Sequence, residues 1–234
     1  MIKGLSEHID KTFNIQFEDE DLLDVAFTHS SYANDHREQD IEHLERLEFL
    51  GDAVIELIVS DFLYKEFEEF PEGQLTKMRA AAVRAETLAE LAIESNLPRY
   101  ILLGKGEEQS NGRKRVSLLC DVFEAFIGAI YLDQGTVTAR TVLEKLLFPK
   151  INAGDFSHGM DYKTALQEWM QQDGVVQIEY QVIETTGPDH AREFVVEVKI
   201  EGDPLGTGSG SSKKRAEQNA AKVAYENLVS TDKD

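Results

Sequence analysis

His43-Leu-Glu-Arg-Leu-Glu-Phe-Leu-Gly-Asp-Ala-Val-Ile-Glu-Leu57 is the stretch on which the reading of this chain turns. Wound as a helix at about 100° per residue, it gathers Glu45, Glu48, Asp52 and Glu56 within an arc of roughly 80°. Leu44 and Ile55 border that arc on one side and Phe49 on the other. The remaining circumference is mostly Leu47, Leu50, Ala53, Val54, Leu57 and Ile58. A helix that is apolar nearly all round is usually buried, so the acids are expected to line an interior cleft. Taken alone, an acidic stripe is more simply a solvated face.

A second stretch tips that balance. Ser117-Leu-Leu-Cys-Asp-Val-Phe-Glu-Ala-Phe-Ile-Gly-Ala-Ile-Tyr-Leu132 is almost wholly apolar, and its only acids are Asp121 and Glu124. Three apart, they share a helix face, and Gly128 continues the stripe with room for close approach. Carboxylates on a buried helix are costly without partners, and neither has a Lys or Arg at helical spacing within the segment. Gathered without a cation they would repel one another and take up protons. A divalent ion keeps them ionised, and an all-oxygen donor set suits magnesium or manganese. Facing helices can each supply one half of such a site. An ion held there could generate hydroxide, orient a phosphate and stabilise a leaving oxygen.

Outward from these blocks, residues 1–151 read as helices throughout. Apolar residues recur at helical spacing over about Leu22–Phe27, Leu44–Phe67, Leu75–Ile93, Leu118–Leu132 and Val137–Leu147. Pro71-Glu72-Gly73 and Leu97-Pro98 interrupt the pattern. Residues 152–160, with Gly154, Ser157 and Gly159, read as a linker. Beyond it the grammar changes. Asp161–Gln171 reads as a short helix with Asp161 as its cap. Gln177-Ile-Glu-Tyr-Gln-Val-Ile-Glu184 and Glu193-Phe-Val-Val-Glu-Val-Lys-Ile200 alternate at period two. A third strand is expected over about Asp203–Gly210 and a closing helix over Lys213–Leu228. Residues 161–230 are therefore a small α+β domain of order α-β-β-β-α, following an all-α domain.

Composition restricts the classes of function. The 234 residues carry 24 Lys and Arg against 44 Asp and Glu, a net charge of −20. Nucleic-acid binders are ordinarily basic, so an RNA face here has to be a local patch on an acidic body. Residues 161–234 hold eight Lys and Arg against fourteen Asp and Glu, leaving −6 there and −14 before them. The single cysteine, Cys120, makes no internal disulfide and fits a reducing, cytoplasmic setting. No secretory leader is evident at the N-terminus, and no apolar run approaches the roughly 20 residues that span a bilayer. The local basic patch is Lys213-Lys-Arg-Ala-Glu-Gln-Asn-Ala-Ala-Lys222, behind the Gly- and Ser-rich Gly206–Ser212. Cations and free N–H groups at a helix start bind phosphate together. With Gln167 on the preceding helix and His190 in the strand loop, the patch offers three separated contacts, the manner in which duplex RNA is read.

Glu45-Arg-Leu-Glu-Phe-Leu-Gly-Asp52 resembles the signature of the ribonuclease III family, and Asp121-Val-Phe-Glu-Ala125 its second acidic motif. The α-β-β-β-α tail with Lys213-Lys-Arg-Ala-Glu217 resembles a double-stranded-RNA-binding domain. The resemblance spans nearly the whole chain, in the order of the short bacterial form. It implies a homodimeric endonuclease that cuts double-stranded RNA with Mg2+, or Mn2+ in its place. The ends would be staggered, with 5′-phosphate and 3′-hydroxyl, and the targets ribosomal RNA precursors and other structured RNAs. Residue by residue, it implies metal-binding, catalytic roles for Glu48, Asp52, Asp121 and Glu124. Glu45 and Glu72 match two further acids near the cut site, and Phe49 a residue that plugs the partner subunit. Gln167, His190, Lys213 and Lys214 match RNA contacts. Ala53 stands where the family often has serine, a change that removes no ligand. A polar insertion, Asn34–Asp40, has no assigned use. Two rivals remain: a catalytically inactive double-stranded-RNA-binding protein, and a metal-dependent phosphohydrolase of small nucleotides, which would need no C-terminal module.

Overall fold

The computed structural model describes residues 2–153, 162–171, 174, 177–187 and 192–231. The chain divides into two compact units, Met1–Gly159 and Met160–Asp234. Within the first, among the described residues, run nine α-helices: α1 Leu5–Phe13, α2 Glu20–Ala26, α3 Ser30–Asp35, α4 Glu45–Glu66, α5 Glu72–Ala82, α6 Ala85–Glu94, α7 Lys105–Gln109, α8 Val116–Leu146 and α9 Phe148–Asn152.

The core of this unit forms around α8. Its first half buries Leu118, Leu119, Val122, Phe123, Phe126, Ile127 and Ile130, and α4, α6 and α2 pack against it. Phe126 meets the rings of Phe13 and Phe27 at 5.6 and 5.9 Å. The two apolar stretches expected on either side of residue 135 form this one rod, broken at Gly135, whose φ of 80° only glycine adopts readily. The carboxylate of Asp133 accepts the backbone N–H groups of Glu18 and Asp19. That ties the entry of α2, itself capped by Asp19, to the far end of the acidic segment.

Two expectations fail here. The stretch Leu75–Ile93 is two helices, because Arg84 is extended (ψ 154°) between them. No Pro or Gly marks this corner. It is held by side chains, with Arg84 Nε donating to Thr87 Oγ1 and Thr87 Oγ1 donating to the carbonyl of Ala81. The near-complete burial expected of α4 also fails. Leu47, Val54, Ile55, Ile58, Val59, Phe62 and Leu63 are buried, but Phe49 is 82% and Leu57 63% exposed, and Ala53 is exposed with them. Within one chain α8 and α5 pack against only part of the helix surface.

The second unit is α10 Tyr162–Gln171, β1 Ile178–Thr186, β2 Glu193–Ile200, β3 Asp203–Gly210 and α11 Lys213–Thr231. The strands form an antiparallel sheet in the order β1-β2-β3. A bulge interrupts β1 between Val182 and Glu184. Val196 and Val198 are buried, as are Ala216, Ala220, Ala224 and Tyr225 of α11 and Ala165 and Leu166 of α10. Trp169 packs edge-on to Tyr225 at 5.8 Å. Asp161, expected as the cap of α10, lies outside the described residues, as do residues 154–160 of the expected linker.

Candidate functional site

The site is set by a backbone contact. A Cβ on Gly51 of α4 would lie 1.8 Å from the carbonyl oxygen of Glu124, and one on Gly128 of α8 would lie 2.3 Å from that of Leu47. Neither position admits a larger residue unless the helices separate. This approach brings Glu48 and Asp52, which flank Gly51, to the face of α8 that carries Asp121 and Glu124. Glu48, Asp121 and Glu124 are half-buried and Asp52 is exposed. The carboxylates are therefore reachable from solvent rather than enclosed in the interior.

Their electrostatics record the gathering. Burial pushes the Glu48 carboxyl up, and the charges of Asp121, Glu45 and Asp52 push it further. Asp121 is raised by burial although His29 and Arg115 draw it down. Glu124 is pushed up to about 7, by burial first, with Asp52, Asp121 and Glu48 adding and a hydrogen bond from Cys120 opposing. Acids from two helices thus act on one another, as the spacing requires. Within their segment Asp121 and Glu124 have no Lys or Arg at helical spacing, as expected, and the cations that act on Asp121 come from outside it. Arg115, at the N-terminal end of α8, and His29 both act on Asp121.

Ligand atoms of Cys120, Asp121 and Glu124 lie within 4.8 Å of one another. The thiol does not belong to the donor set. It is buried, its pKa is pushed far up by burial and by the neighbouring acids, and its S–H donates to Glu124 Oε1 at 3.4 Å. A thiol that keeps its proton is no thiolate ligand, so the donors are carboxylate oxygens. An all-carboxylate set could hold a hard divalent cation.

The other expected residues of this unit are spread out. Glu45 is exposed, 4.0 Å from His43 Nδ1, and acts on both Glu48 and Asp121. Phe49 stands out at the wall of a mostly apolar groove of about 740 Å3, lined by Leu22, Val25, Ile41, Leu50 and Leu132 with Glu42, His43, Glu45 and Arg46 along it. Glu72 begins α5 and lines a second groove of about 580 Å3 with Leu57, Tyr64 and Leu75, where Thr76 Oγ1 donates to it. The charges that most shift Glu48, Asp121 and Glu124 do not include it.

In the second unit, Gln167 is exposed on α10, and Lys213 and Lys214 are exposed as the first two residues of α11. His190 lies outside the described residues. The start of α11 is capped by Ser212, whose Oγ accepts from Arg215 N at 3.2 Å. The glycine-rich stretch before it is a packing surface. A Cβ on Gly206, Gly208 or Gly210 would lie 2.8, 2.2 or 2.8 Å from the backbone nitrogen of Ala224, Ala220 or Ala216. Asn219 Nδ2 and Asn227 Nδ2 then pin α11 to the carbonyls of Ser209 and Leu205. Period two on β3 against period four on α11 was present in the sequence, but it requires knowing which face of each element meets the other.

Residues 19–151 match the family model described as ribonuclease-III-like, and residues 162–228 the double-stranded RNA binding motif. A Ribonuclease 3 of Enterococcus faecalis is 55% identical over 228 residues, 97% of this chain and 99% of that protein. A Ribonuclease 3 of Limosilactobacillus reuteri is 47% identical over 233 residues, covering all of both. The nuclease domain of ribonuclease III from Campylobacter jejuni, a structure described for flexibility in a region involved in dimer formation, aligns with a TM-score of 0.56. It is 38% identical and covers 60% of this chain and 94% of that one. Among the described residues no helix is long and apolar enough to cross a membrane.

Proposed function

The chain belongs to the ribonuclease III family, double-stranded-RNA endoribonucleases, and from that premise we propose that it cuts with a divalent metal ion, Mg2+ or Mn2+ in its place, held by Glu48, Asp52, Asp121 and Glu124. The observation that carries this reading is the close approach of α4 and α8 at Gly51 and Gly128, which brings Glu48 and Asp52 to the face of α8 that carries Asp121 and Glu124. Acids so gathered take up protons unless a cation is present, and the Glu124 carboxyl, pushed up to about 7, agrees with this. The bound ion would supply a hydroxide from water, an anchor for the scissile phosphate and stabilisation of the leaving oxygen. The chain's own residues do the rest. Gly51 and Gly128 hold the two acid pairs at a fixed separation. Cys120 orients Glu124 by its hydrogen bond without competing as a ligand. Glu45 adds negative charge at the edge.

In this reading Phe49 enters the apolar groove of a second copy. An exposed phenyl beside a groove of about 740 Å3 supports it, as does the dimer-forming region of the Campylobacter nuclease domain. Gln167, His190, Lys213 and Lys214 hold the duplex, and Glu45 and Glu72 assist beside the cut. Staggered products with 5′-phosphate and 3′-hydroxyl, ribosomal RNA precursors as targets and a cytoplasmic setting complete the proposal. An inactive RNA-binding protein is disfavoured because all four acids are present. Incubating the protein with long double-stranded RNA, with and without Mg2+, tests the reading. Cleavage is expected only with the ion, and chelator-resistant cleavage would overturn the metal assignment.

A further inference from the structure

Three cations, Arg113-Lys114-Arg115, precede the helix that carries Asp121 and Glu124. Arg113 is fully engaged. Its Nε donates to both oxygens of Glu108 at 2.9 and 3.0 Å, its Nη2 to Glu108 at 2.7 Å, and its Nη1 to the carbonyl of Pro98 at 2.8 Å. Arg115 is not. Its Nη2 lies 2.8 Å from Glu107 Oε1, with 49% of the Arg115 side chain exposed against 16% of Glu107. The pair is close in distance but off the N–H axis, so that carboxylate oxygen keeps no hydrogen bond. The rest of the guanidinium has no second protein partner among the described residues.

The carboxylate beneath it is firmly built in. A Cβ on Gly112 would lie 2.4 Å from Glu107 Oε1, so glycine makes room for it. The platform under α7 is tied to α3, with Gly104 N donating to Ser31 Oγ at 2.9 Å and Lys105 N to Asp35 Oδ2 at 2.7 Å. His29 N donates to the carbonyl of Leu102, and Leu102 N to that of Phe27. A half-buried acid on a fixed platform thus holds one edge of a half-exposed guanidinium at the start of the very helix that bears two of the four acids. Arg115 is the N-cap residue of α8, six positions and less than two turns before Asp121, so it stands at the same end of the helix as that cluster. An RNA duplex approaching this cluster brings more phosphates than one ion site can neutralise, and Arg presents a planar fork suited to phosphate oxygens.

We propose that Arg115, aimed by Glu107, contacts a backbone phosphate of the duplex beside the cut, and is a substrate-positioning residue of the nuclease unit. The proposal rests on reading the four-acid cluster as the cut site. A structural role, in which Arg115 merely joins α7 to α8, makes a different prediction. Phosphate contacts are recognised by salt, each contributing about one unit of slope in log affinity against log salt.

The test is steady-state cleavage of one duplex in Mg2+ by the full chain, from about 50 to 200 mM salt, for the parent, Arg115→Gln, Arg115→Lys and Glu107→Gln. Arg115→Gln is expected to raise KM about tenfold at the upper salt while kcat moves little, and to reduce the salt slope of KM by about one. Arg115→Lys keeps the slope because it keeps the charge. A folded Arg115→Gln with parental KM and slope overturns the proposal. Should Arg115→Gln fail to fold by thermal melt, Glu107→Gln decides. A raised KM with parental slope supports orientation by Glu107, and a parental KM overturns it. Failure of the cut-site reading itself would show differently, as full cleavage by Glu124→Gln with every KM effect still in place.

Discussion

Two backbone contacts made by glycines, one in each unit, position the two working surfaces of this protein in opposite ways. In the nuclease unit, Gly51 and Gly128 let α4 and α8 touch, and the contact concentrates like charges that would otherwise separate. In the RNA-binding unit, Gly206, Gly208 and Gly210 let α11 settle on β3, and the contact presents Lys213 and Lys214 to solvent at a capped helix start. The first arrangement gathers charges that oppose folding, a cost that the proposed cation would relieve, whereas the second carries no such penalty. On the proposed reading, close packing gathers acids where chemistry occurs and displays cations where binding occurs.

The largest way to break this comparison is Gly51→Ala. A methyl 1.8 Å from a carbonyl oxygen forces the helices apart, an overpacking that costs on the order of 3 kcal/mol or more. Melting should fall by about ten degrees and cleavage should be lost, while gel-shift binding through the second unit persists. Gly208→Ala is the counterpart, with a methyl 2.2 Å from Ala220 N. It should cost about 2–3 kcal/mol and weaken RNA binding, yet leave kcat at saturating RNA near the parent. If the two variants lose the same function, the division between units is wrong. Next in size, Phe49→Ala should weaken self-association by about 2 kcal/mol, as for a buried aromatic anchor, measured by sedimentation. A parent that stays monomeric at micromolar concentration counts against the Phe49 role.

The smallest effect is a pH dependence. Glu124 is raised from 4.5 to about 7 in the folded chain, so the folded state holds a proton that the unfolded state releases. That contribution to stability is complete below pH 4.5 and is lost as pH rises through about 7. In chelator, melting of the parent should therefore drop over this window by more than that of Glu124→Gln, and Mg2+ should flatten the parent's fall. Parallel curves for parent and variant would remove Glu124 from the coupled cluster.

The sequence made these acids legible because they share helical spacing with each other and interrupt otherwise apolar segments. Gly128 was legible as part of that stripe, and β2 was legible residue for residue from its alternation. What stayed hidden depends on contacts distant in sequence. The corner at Arg84 is closed by side chains rather than by a breaking residue. Exposure of Leu57 follows from which faces of α4 find a neighbour, not from its own apolar character. His29 and Arg115 reach Asp121 from outside its periodic segment, where no spacing rule points to them. Gly206, Gly208 and Gly210 look like loop composition until they meet the alanines of α11.

Cleavage and gel-shift of a single RNA duplex by the parent and Glu124→Gln, side by side in Mg2+, test the central claim most directly. The account predicts that cleavage falls by several orders of magnitude, since the amide coordinates the ion poorly, while binding is kept or slightly tightened as one negative charge is removed. Undiminished cleavage by Glu124→Gln would contradict it, and would take the metal site away from the α4–α8 contact.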